Sequence, residues 1–285
     1  MKYGLISLDF RRFPLEKCFA AAAAYGFQGV EIWGGRPHAY PCDLGPAEVR
    51  EILDLKKKYR LETPMYTPNA IGLPVNLCSS MAKERAEGLR YHKRAVDVCA
   101  ALEIPAMLVV ADHPGYGRDV DEVRRCFSDA VGELALYAAG KGVTIAIEPL
   151  TPMESPVVTC ADDCARLVRD TGAKNLRFVL DIVPPAIVRE PLSDYFRKLP
   201  GRICHVHICG SDGATDAHLN LDEGVLSVRG ILDVLKTCGY EGYAIAELYS
   251  VSFADPERAA ANAARFLSLF SDSGGRSGPR LANPL

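Results

Sequence analysis

Eight short runs of strand-forming residues alternate with eight amphipathic stretches along the chain, and this alternation constrains the fold more than any other feature. The strand candidates are residues 2–7, 28–33, 61–66, 105–111, 143–148, 177–182, 202–208 and 243–248. Between and after them, residues 14–25, 46–59, 82–101, 119–140, 160–171, 191–199, 227–238 and 255–270 carry apolar residues at helical spacing with polar faces outward. Punctuation agrees with these limits. Asp255-Pro256 supplies an N-cap and a first-turn proline, Gly140 and Gly239 fall where helices should stop, and Pro200-Gly201 closes the sixth helix. Eight βα units without a linker fit a single closed (βα)8 TIM barrel, an architecture of about 250 residues. A doubly wound open sheet would use fewer units and often carries a glycine-rich phosphate turn, but neither G-x-G-x-x-G nor G-x-x-x-x-G-K-[ST] occurs here. The barrel is expected to span residues 1–270. The Gly-, Ser- and Pro-rich stretch 271–285 has no periodicity and is expected to be a flexible tail.

Composition narrows the class of protein. Of the 285 residues, 48% are apolar and 24% charged, enough to bury a large core. A net charge of −3 gives no overall electrostatic reason to bind nucleic acid. The opening MKYGLISLDFRR is too short in apolar residues for a signal segment or a membrane span, so a cytoplasmic protein with no membrane partner is expected. The ten cysteines are scattered and form no C-x-x-C pair, which fits free and mostly buried thiols.

Chemistry in such a barrel gathers at the C-terminal strand ends. Strands five to eight finish in Glu148, Asp181, His207 and Glu247, which places four metal-capable side chains on one rim. A single rim carboxylate could be a salt-bridge partner, and His205 and His207 share one strand face, so one of them could be a satisfied core histidine. Four together point elsewhere, because an uncompensated buried carboxylate costs several kcal/mol. Three carboxylates and one imidazole suit a single divalent cation such as Mn²⁺, Mg²⁺ or Co²⁺, with Zn²⁺ also admissible. His205, deeper in the barrel, would support the site or pack.

At these residues the chain resembles the sugar isomerase and epimerase branch of the xylose isomerase-like TIM barrels, which includes the D-tagatose/D-psicose 3-epimerases and carries Glu, Asp, His and Glu on four strands. Within that branch it is similar, almost from end to end, to the fructoselysine 3-epimerase group. The stretches GVEIWGGRPHA, YTP (66–68), IEPLTPMES (147–155), HVHICGSDGATDAH (205–218), DEG (222–224) and GYEGY carry the likeness. The resemblance implies a substrate wall after strand two, with Trp33 as an apolar plate and Arg36 and His38 as polar contacts. It also implies that Tyr66 and Glu154 face the substrate. A histidine and an arginine that ketose 3-epimerases commonly carry are replaced by Pro184 and Gly213, while Asp212, Asp216 and His218 are added. Losing basic contacts and gaining acidic ones fits a sugar-amine better than a plain ketose.

The expected activity is therefore inversion at C3 of a ketose or ketosamine through a cis-enediolate, with Glu148 and Glu247 as both ligands and proton-transfer groups. Asp181 and His207 would be purely structural ligands. Aldose–ketose isomerisation uses the same intermediate and stays open, as does a non-catalytic sugar-binding barrel. A DNA-binding multi-zinc site of the endonuclease IV kind would need more than six histidines and a basic arm. A homo-oligomer is expected from the habits of such barrels.

Overall fold

The computed structural model describes residues 1–270; the expected tail lies outside the described residues. Eight parallel strands close into a barrel in chain order, with β1 pairing β8. They are β1 (Lys2–Ile6), β2 (Gly29–Gly34), β3 (Tyr66–Pro68), β4 (Ala106–Val110), β5 (Thr144–Glu148), β6 (Leu176–Asp181), β7 (Ile203–Ile208) and β8 (Tyr243–Ala246). The helices are α1 (Leu15–Ala24), α2 (Pro46–Tyr59), α3 (Ala82–Ala101), α4 (Val120–Ala139), α5 (Ala161–Thr171), α6 (Val183–Val188), α7 (Leu192–Lys198), α8 (Val228–Thr237) and α9 (Pro256–Ser268). No helix among the described residues is long and apolar enough to cross a membrane.

The period-two alternation of a strand sorts side chains into two layers. Met107, Val109, Ile145, Ile147, Phe178 and Leu180 join the large core packed against the helices. Their neighbours Ala106, Leu108, Val110, Ala146 and Val179 form a separate small cluster, with Met65, in the barrel interior. The same alternation carries Glu148, Asp181 and His207 inward at the strand ends. Asp181 lies opposite His207 in the β6–β7 register, and Val110 opposite Glu148 in the β4–β5 register, so these groups share one level.

Two elements differ from the sequence expectation. The third strand forms at 66–68 rather than 61–66, because Pro64 has no N–H for the ladder; Glu62 and Met65 still offer their carbonyls to Val30 and Ile32. A further helix, α6, precedes the expected sixth one and carries Pro184 and Pro185 in its first turn, where a missing N–H costs little. The expected N-cap of α9 forms, with the Asp255 side chain accepting from Arg258 N–H, and Asp119 caps α4 in the same way.

Candidate active site

Glu148, His207 and Glu247 converge at the C-terminal mouth. His207 Nδ1 lies 2.7 Å from Glu148 Oε1 and 3.1 Å from Glu247 Oε2. Nδ1 and Glu148 Oε1 are nonetheless both buried without a hydrogen-bond partner, so their close approach lacks the directionality of a hydrogen bond. Two buried lone-pair donors turned toward a shared point are what a cation requires, and the three residues offer ligand atoms within 4.8 Å of one another. Asp181 stands one contact away. Its Oδ1 accepts from Val183 N–H at 2.9 Å and its Oδ2 meets His218 Nε2 at 3.0 Å, while His218 also reaches Glu247 Oε2 at 3.4 Å. With buried Cys209, Asp181 and His218 make an adjoining group of donor atoms.

Below the three converging side chains lies a carboxylate that the sequence reading did not single out. Glu31, fully buried on β2, accepts at Oε2 from His207 Nε2 (3.1 Å) and His205 Nε2 (2.7 Å), and at Oε1 from the Thr67 hydroxyl. A carboxylate at Nε2 keeps that nitrogen protonated and leaves Nδ1 as the donor to a metal, the arrangement common beneath metal-bound histidines. The signal was present in GVEIW: strand alternation puts Glu31 on the same face as Trp33, two residues on. A second buried carboxylate, Asp9, receives Leu248 N–H and the Ser252 hydroxyl, tying the turn after β1 to the residue following Glu247.

Burial and proximity set the charges. Burial pushes Glu31 upward, but His207 and His205 outweigh it and hold the carboxyl down to about 2. Glu148 is pushed up to about 8, chiefly by burial. Glu247 is also buried, yet His207 and His218 hold it below the usual carboxylate range. Burial opposes a charge on His207 as well, but Glu31, Glu247 and Glu148 raise it well above the ordinary imidazole range, so a proton and a cation compete for Nδ1. In the absence of a cation, burial thus pushes one of these two glutamates up while the imidazoles hold the other down.

A cavity of about 410 Å³ opens above these groups. Of the residues the sequence assigned to substrate, Trp33, Glu154, Asp216 and His218 line it. Glu154 Oε2 accepts from Thr151 N–H and Oγ1, both at 2.9 Å; burial and neighbouring Asp216 raise its carboxyl to about 7. Asp216 accepts from the Tyr249 hydroxyl, and Tyr249 stacks on His218 at 4.5 Å between ring centroids. The loop bearing Asp216 and His218 is pinned where Ser211 bridges Gly224, whose φ of 88° and 2.1 Å space before Ser211 O admit no side chain.

Four other residues assigned to substrate do not line the cavity. Exposed Arg36 forms a fork with Asp43 at 2.5 and 2.7 Å, His38 Nε2 pairs with the Phe13 carbonyl at 2.8 Å, and Tyr66 is fully buried with its hydroxyl on Ala39 O. Asp212 caps its own loop, accepting from Ala214 N–H, Thr215 N–H and Thr215 Oγ1. Arg36 and His38 instead shape the segment that follows Trp33, and the His38 ring meets the indole edge-on at 5.9 Å. A larger cavity, about 610 Å³, lies at the opposite mouth, lined by residues such as Glu62, Thr144 and Arg177, away from the converging glutamates.

With this geometry in hand, the comparisons are specific. Residues 19–269 match the model of the xylose isomerase-like TIM barrel. The chain belongs to that family. It is 34% identical over 256 residues to fructoselysine 3-epimerase of Shigella flexneri, covering 90% of this chain and 93% of the relative. Among solved structures, a D-tagatose 3-epimerase-like protein superposes with a TM-score of 0.80 at 22% identity, over 94% of this chain and 96% of the other. D-allulose 3-epimerase from Methylomonas sp. in complex with D-allulose does so with a TM-score of 0.77 at 20% identity, over 94% and 96%. At these identities the structural likeness speaks for the barrel alone.

Proposed function

We propose that this chain is an isomerase that inverts C3 of a ketosamine of the fructoselysine type, with a divalent cation held by Glu148, Asp181, His207 and Glu247. The carrying observation is the approach of Glu148 and Glu247 to one imidazole nitrogen, with Nδ1 and Glu148 Oε1 unpaired and buried at the cavity floor. Similarity over nine-tenths of the chain to a fructoselysine 3-epimerase supports the substrate class. Acidic Glu154 and Asp216 on the cavity wall suit an amine.

Inverting C3 requires removing its proton beside the C2 carbonyl and returning one to the other face. A bound divalent cation would supply Lewis acidity that makes this proton more acidic. Glu148 and Glu247 take and return the proton on either side of a cis-enediolate, and each must pass through both protonation states in a cycle. His207 keeps its orientation through Glu31, and Asp181 through Val183 N–H and His218. Trp33 gives the sugar an apolar wall.

The test is turnover of fructoselysine in D₂O by the Mn²⁺-loaded protein, followed by NMR. Deuterium at C3 with formation of the C3 epimer supports the proposal. Label at C1 or C2 would instead mean aldose–ketose isomerisation, and no label in any ketose or ketosamine would mean a binding protein.

A further inference from the structure

Five carboxylates line the active-site cavity, Glu148, Glu154, Asp181, Asp216 and Glu247, and among the described residues Arg11 is the one lysine or arginine that joins them. Arg11 ends the 3₁₀ turn Ser7–Phe10 that leaves β1, at the rim of the mouth. Its Nη1 donates to Leu8 O at 3.2 Å, and its guanidinium lies 3.9 Å from the centroid of the half-exposed Phe253 ring. Stacking on an aromatic face fixes the plane of a guanidinium while leaving its edge N–H groups for in-plane acceptors. Among the described residues Arg11 pairs with no carboxylate, and the oxygens of nearby Asp9 are committed to Leu248 N–H and Ser252. Neighbouring Arg12 lies 4.9 Å from the centroid of the same ring but does not line the cavity, and Arg36 is paired in a fork with Asp43.

An aligned cation without a counterion, on the wall of a cavity otherwise lined by acids, has no use for a neutral ketose. We infer that Arg11 binds the carboxylate of the amino-acid portion of the substrate, so that the site selects ketosamines built on an amino acid over those built on a simple alkylamine. The inference rests on the proposed ketosamine epimerase activity and names the residue that reads the far end of that substrate. In this arrangement the sugar lies over Glu148 and Glu247, the amine faces Glu154 and Asp216, and the methylene tether delivers the carboxylate to Arg11 over Phe253. Arg11 touches no reacting atom in this pose. Its effect therefore belongs in KM and in discrimination between substrates.

The experiment compares fructoselysine with fructosyl-lysinamide, in which a neutral amide replaces the carboxylate, in wild type, Arg11→Lys and Arg11→Met, using Mn²⁺-loaded protein. A charge-assisted, partly desolvated pair predicts a wild-type preference for the carboxylate of about 10- to 100-fold in kcat/KM, expressed mainly in KM. That preference should collapse toward parity in Arg11→Met and recover in part in Arg11→Lys. Equal wild-type kinetics on both compounds, or a preference that survives in Arg11→Met, overturns the inference and leaves the epimerase reading standing. Failure of the wild type to turn over either compound removes the epimerase reading itself, and the inference falls with it.

Discussion

Glu31 and His207 face each other inside the barrel with 3.1 Å between Oε2 and Nε2, from β2 and β7, strands that β1 and β8 separate in the closed sheet. That contact decides which nitrogen of His207 looks toward Glu148 and Glu247. Replacing Glu31 by Gln removes the carboxylate while keeping its shape, and metal affinity should fall about 10- to 100-fold. Isothermal titration with Mn²⁺ checks this, and an unchanged affinity would mean that the tautomer is set by something other than Glu31.

The two glutamates should separate binding from chemistry. Glu247→Gln keeps an oxygen ligand but cannot cycle a proton, so it should retain an ion while losing about 10²- to 10⁴-fold in the rate of C3 exchange. Proton–deuterium exchange at C3, read by NMR with metal content measured on the same sample, makes the comparison. Near-normal exchange would remove Glu247 from proton transfer.

Glu154 provides a pH signature in the metal-free protein. Its carboxyl titrates near 7 in the folded chain against an ordinary 4.5, because burial and Asp216 disfavour the charge. The folded state then binds more protons than the unfolded state between these values. This contribution to stability is present in full below about pH 4.5 and lost as pH rises through 7, at a slope of at most about 1.4 kcal/mol per pH unit. Glu154→Gln should therefore gain stability relative to wild type between pH 5 and pH 8 in urea titrations. An identical pH dependence in both proteins would contradict the assignment.

Away from the mouth, Phe178 tests the packing. It is fully buried on the outward face of β6, between strand and helices, and Phe178→Ala should cost about 3–5 kcal/mol by urea denaturation. A loss below 1 kcal/mol would indicate a looser core than the one described.

Much of this was legible in the residues themselves, for identifiable reasons. Strands such as TIAIE and ICHVHI stand out because β-branched residues surround a polar group at the end that meets the mouth. The third strand was displaced because Pro64 interrupts its ladder, although the flanking residues still follow β2. Glu31 went unremarked because one acid in an apolar strand has no local sign of its partners, which come from β3 and β7. Arg36 and His38 look like site residues beside Trp33, but they turn to Asp43 and Phe13, and only the folded loop reveals those partners. Asp212 could have been recognised from SDGAT, since an aspartate ahead of Gly and Thr commonly caps its own turn. His218 was assigned to substrate and lies on the cavity wall, but it also holds Asp181 and Glu247, a contact set by the fold of a long loop after β7.

The most direct test of the central claim is a crystal structure of the Mn²⁺-loaded protein with anomalous data collected at the manganese edge. One ion is expected, about 2.0–2.3 Å from His207 Nδ1 and from carboxylate oxygens of Glu148, Asp181 and Glu247. An ion found only between Asp181, Cys209 and His218, or no anomalous peak at this mouth of the barrel, would contradict it.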